Sequence, residues 1–75
     1  MYLGRSNPVI TWFDDNPKKP ATTKIAEACA AYLDRFKTRP NVVLVNPADL
    51  VEVAGVAVRA VGYIRLNNFW IGRED

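Results

Sequence analysis

The chain has no histidine, a single cysteine (Cys29) and a single serine (Ser6). One thiol cannot close an internal disulfide, and zinc sites built from four Cys and His ligands are excluded. A histidine general base is also missing, and no obvious nucleophile stands in for it. No apolar run approaches the roughly 20 residues that span a bilayer. Met1-Tyr2-Leu3-Gly4-Arg5-Ser6 does not lead into the apolar segment of a signal peptide. The expectation is a cytoplasmic protein with no membrane partner, and one reduced thiol agrees with it. Charge of one sign is scarce too. Ten basic and eight acidic residues give a net charge of +2, which neither demands nor excludes an anionic partner.

What remains is a globular composition, 49% hydrophobic and 24% charged over 75 residues. That length makes one domain, residues 1–75, without repeats or low-complexity segments. Residues 1–7 are expected to form a flexible arm. A core this small leaves a margin of only a few kcal/mol. With disulfides and Cys/His zinc sites excluded, association is the remaining route to extra stability.

Val9-Ile10-Thr11-Trp12-Phe13 is a β-branched and aromatic run that predicts a first strand. A polar loop with two prolines follows over residues 14–21. Ile25, Ala28, Cys29, Tyr32, Leu33 and Phe36 recur at helical spacing, which predicts one main helix over about residues 22–38. Thr22 or Thr23 is its expected cap, and Lys24, Glu27, Asp34 and Arg35 are expected on its solvent side. Pro40 stops it. Val42-Val43-Leu44-Val45 then predicts a second strand. Asn46-Pro47-Ala48-Asp49 has the cap, first-turn proline and first-turn acid of a short helix ending near Gly55. A third strand is expected within Val56–Leu66, with a bulge or bend at Gly62, a turn at Asn67-Asn68 and a last strand at Phe69-Trp70-Ile71.

The order β-α-β-(short α)-β-β predicts a small two-layer α/β (α+β) sandwich, with a mixed sheet of three or four strands. A strand-helix-strand unit favours parallel pairing of its strands, and the last two strands are expected to form a hairpin. Successive strand residues point to opposite faces, so the continuous apolar run at Val42–Val45 belongs to a sheet covered on both sides. One helix covers one side. The other is expected to meet the short helix, a second copy of the chain or another protein.

Two constellations bear on function. Each of the dipeptides Trp12-Phe13 and Phe69-Trp70 puts one ring on the face away from the main helix. With Tyr63, Arg65 and Arg59, that face is a candidate protein interface, since aromatics and Arg are enriched there. Stacking of single-stranded nucleic acid on the same rings is the alternative. The second constellation is Asp14 and Asp15, which meet Asn46 and Asp49 at one rim if the first two strands are neighbours. Such oxygens suit Mg²⁺, and a Mg²⁺-dependent enzyme is the third and least favoured reading. A solvated turn explains the same acids. Cys29 reads as a packed small hydrophobe, and Lys18-Lys19 as solvated charge.

The run Arg39-Pro40-Asn41-Val42-Val43-Leu44-Val45-Asn46-Pro47-Ala48-Asp49 resembles a segment of tailed-phage major capsid proteins, where a helix leads to an apolar strand ending in Asn-Pro-x-Asp. The resemblance covers residues 39–49 only, and no function is carried across. The sequence points to a small non-enzymatic module, without a cofactor, that self-associates or docks on another protein.

Overall fold

A computed structural model describes residues 8–74, so the arm expected at residues 1–7 lies outside the described residues. The elements are β1 (Val9–Phe13), α1 (Ala21–Phe36), β2 (Val42–Val45), a 3₁₀ turn (Pro47–Asp49), β3 (Ala57–Ala60) and β4 (Asn68–Gly72). One helix packs on a four-stranded mixed sheet, the α+β two-layer arrangement that the periodicities predict.

Strand pairing departs from the expected hairpin. The sheet order is β1-β4-β2-β3, with β4 antiparallel to both neighbours and β2 parallel to β3. The last strand is therefore inserted between the first two, which run in the same direction but do not touch edge to edge. β3 and β4 lie on opposite sides of β2. Instead of a hairpin, residues 61–67 carry the chain over the carboxyl end of β2. There the Val61 amide donates to the Val45 carbonyl (2.8 Å) and the Asn46 side-chain amide donates to the Ile64 carbonyl (2.8 Å). These turns end the third strand at Ala60, well short of Leu66. Gly62 lies in one of them, beyond the strand rather than at a bulge within it.

Helix α1 begins one residue before the expected threonines. Pro20, in extended conformation, occupies the cap without a side-chain bond, and its carbonyl accepts from the amides of Thr23 (3.1 Å) and Lys24 (3.2 Å). The preceding loop is already closed by Asp14 and Asn16, whose side chains accept from the amides of Asn16 and Lys18. It thus delivers the chain to the helix before Thr22. The helix ends at Phe36, where Lys37 turns left-handed (φ 58°) and its amide donates to the Leu33 carbonyl (2.8 Å), an αL termination.

The helix stripe covers one sheet face. Ile25, Ala28 and Tyr32 are fully buried against Val43, Val45, Phe69 and Ile71, with Ile10, Trp12, Cys29 and Phe36 around them. Burying one such side chain stabilises by roughly 1.5–3 kcal/mol. Leu33, 38% exposed, lies at the margin of the stripe. Lys24 reverses its expected solvent position: it is only 6% exposed, because its Nζ reaches inward to Asn67 Oδ1 (3.3 Å).

The expected short helix is a single 3₁₀ turn. Asn46 caps it as predicted, its side chain accepting from the Ala48 amide (2.8 Å). Residues 50–56 then return without helix, and Val51, Val53 and Val56 pack beside α1 on the same core. The second sheet face is met by the chain itself at one end. Ile64, from the 61–67 crossing, is 2% exposed and packs on Val42 and Leu44, with Val61 and Trp70 alongside.

Candidate functional site

The strand registers decide which ring of each aromatic pair faces outward. Thr11 pairs with Trp70, Trp70 with Leu44 and Leu44 with Arg59, so these residues form one row across the face away from α1. Trp12 and Phe69 form the corresponding row with Val45 on the helix side. Phe69 is fully buried and Trp12 packs at the edge of that core. Both therefore leave the candidate surface, while Phe13 and Trp70 stay on it. The Trp12 indole Nε1 is buried without a hydrogen-bond partner among the described residues, an arrangement that costs about 1–3 kcal/mol.

Tyr63 leans over Trp70 with ring centroids 5.6 Å apart at 58°, a tilted geometry favoured by aromatic quadrupoles. Tyr63 is 59% exposed and Phe13 63%. Val9 and Thr11 share the outer face of β1 with Phe13, and both are exposed. The surface over β1 and β4 is thus apolar and aromatic, whereas the surface over β2 is closed by Ile64. Arg65 is exposed in the covering segment. Arg59 is held by Glu74, with Nη1 to Oε2 at 2.7 Å. That pairing raises the Arg59 pKa and lowers that of Glu74. Leu66, 53% exposed in the turn before β4, and Ile64 also belong to this region. The strand expected within Val56–Leu66 takes in both, but they lie in the turns that follow Ala60.

At the acidic rim β4 lies between β1 and β2, and Asn67 lies between Asp14 and Asp49. Its carbonyl accepts from the Asp14 amide (3.1 Å), its amide donates to Asp49 Oδ2 (2.9 Å), and its Oδ1 accepts from Lys24. Asn67 holds these bonds in a left-handed conformation (φ 66°). Asp14 also faces Lys19 Nζ at 3.6 Å, which in turn binds Glu27 at 2.9 Å. The Asn16 amide, followed by the Lys19 and Lys24 charges, lowers the Asp14 pKa, and Glu27 raises that of Lys19. Asp15 is exposed on the loop. No group of three or more His, Cys, Asp or Glu side chains able to hold a metal is present among the described residues. The rim works as a buttress for the β4 entry.

Cys29 borders an open groove of about 470 Å³ between α1 and residues 53–56, and burial pushes its thiol pKa up. This is the opposite of what a reactive thiol requires. No helix among the described residues is long and apolar enough to cross a membrane. No protein family, characterised protein or solved structure matches the chain.

Proposed function

We propose that this chain is a non-enzymatic interaction module that self-associates through the uncovered part of its second sheet face. The observation that carries the reading is the division of that face. Ile64 closes the β2 side from within the same chain with Trp70 half-buried beside it, while Phe13 and Tyr63 stay exposed on the β1–β4 side. A small fold gains proportionally from burying such rings, at roughly 25 cal/mol per Å², and aromatic clusters of this kind anchor interfaces.

Sedimentation equilibrium from about 1 mM down to 1 µM, the span in which a contact of this kind changes occupancy, tests the proposal. Mass should rise toward a dimer with concentration, and Phe13→Ala should reduce the rise without unfolding the chain. A monomer throughout would defeat it. Single-stranded nucleic acid is the competing occupant of the same rings. Arg65 is exposed for a phosphate, but Arg59 already has a carboxylate partner. Binding of an oligonucleotide that weakens steeply with salt and is lost in Arg65→Ala would favour that reading.

A further inference from the structure

We infer that two copies join edge to edge through β1, antiparallel about a twofold axis at Thr11, an inference resting on the self-association proposed above. Among the described residues the sheet has two edges, β1 and β3. Natural edges are blunted by brevity, charge or proline, because unpaired strand backbone templates further pairing. β3 is short and carries Arg59 with its Glu74 partner. β1 holds five residues with no charge and no proline inside it.

Backbone alternation shows which groups are open. The Asp14 amide donates to Asn67, just beyond the Phe13–Asn68 pair. In an antiparallel ladder, bonded and non-bonded pairs alternate. Ile10, Trp12 and Asp14 therefore turn their backbone groups toward β4, and Val9, Thr11 and Phe13 turn theirs outward. Those three are the outer-face residues, and Val9 and Phe13 are 43% and 63% exposed.

The strand is complementary to its own reverse. Centred on Thr11, the pairing sets Thr11 opposite Thr11 and Val9 opposite Phe13 at both ends. Hydroxyl pairs and aromatic–β-branched pairs both favour such a ladder. A single five-residue edge is a smaller contact than the roughly 800 Å² per partner of a standard interface. The dimer is accordingly concentration-dependent.

The test is disulfide trapping in a Cys29→Ala background under a glutathione redox buffer, at a concentration where sedimentation shows dimer. Thr11→Cys should give a covalent dimer. Val9→Cys and Phe13→Cys should each stay reduced alone but cross-link when mixed. A sedimenting dimer in which Thr11→Cys fails to cross-link, or in which Phe13→Cys links to itself as readily, overturns the edge pairing and leaves self-association standing. Absence of any dimer overturns both. Thr11→Lys in the natural background supplies the second measurement. It should raise the dissociation constant at least tenfold while leaving the monomer's unfolding midpoint unchanged, and an unchanged constant refutes the inference.

Discussion

Replacing Asn67 separates two contributions that meet in one residue. Its left-handed backbone (φ 66°) costs an ordinary L-residue about 1–2 kcal/mol, costs Asn less and costs Gly nothing. Its Oδ1 is the acceptor for Lys24, whose side chain is buried apart from a 6% remnant. Depriving a mostly buried charged donor of its partner costs about 1–3 kcal/mol. The backbone bonds to Asp14 and Asp49 survive any substitution that keeps the conformation. Asn67→Ala should thus lose roughly 2–4 kcal/mol, and Asn67→Gly roughly 1–3, since Gly removes the backbone penalty but not the orphaned amine. Asn67→Asp keeps both the acceptor and the tolerated conformation, and should stay within about 1 kcal/mol of the parent. A chain of this length has about 4–11 kcal/mol in total, so the Ala variant is severely weakened. Urea unfolding followed by the fluorescence of Trp12 and Trp70 reads the order Asn ≈ Asp > Gly > Ala. Equal losses for Gly and Ala would refute the conformational argument. A Gly variant as stable as the parent would show that the Lys24 bond contributes nothing.

Two further outcomes follow from the packing and the charges. Ile64→Ala should cost about 2–4 kcal/mol by opening the cover over Val42 and Leu44, while Leu66→Ala stays within about 0.5 kcal/mol; chemical denaturation of the two variants checks the contrast. The lowered pKa values of Asp14 and Glu74 mean that the folded chain keeps both ionised after the unfolded chain has begun to take up protons. Stability is therefore full above the ordinary values of 3.8 and 4.5 and falls as pH drops through the folded values. Asp14→Asn combined with Glu74→Gln should flatten that acid limb in melts between pH 6 and pH 2, and added salt should flatten it in the parent.

The parts of this fold written in local pattern were open to reading, and those written in distant contacts were not. The α1 stripe, the doubly buried run at Val42–Val45 and the Asn46–Pro47 cap each depend on residues within a few positions. Alternation also put one ring of each aromatic pair on either face. It did not say which, because the face depends on the neighbour each strand acquires. The position of β4 between β1 and β2 arises from pairings across most of the chain, and a hairpin was the simpler expectation for adjacent strands. Helical spacing alone assigns Lys24 to solvent, because its partner lies 43 residues away. The same distance hides the buttress at Asn67, which has no periodicity to announce it. For the candidate surface, composition identified the rings. The division of labour between Ile64 and the open aromatics required knowing where the 61–67 crossing passes.

The insertion of β4 fixes the order in which this domain acquires a core. β1, α1 and β2 precede β4 in the chain, yet no backbone pairing joins the two strands until β4, with Phe69 and Ile71, fills the gap between them. Their pairings close large loops, which slows folding relative to local helical contacts. A nascent chain halted before residue 68 therefore presents a helix stripe without its floor and strands with open edges, the kind of species prone to aggregation and proteolysis. The pairing of β4 with both neighbours is thus the step that closes the sheet and completes the floor under α1.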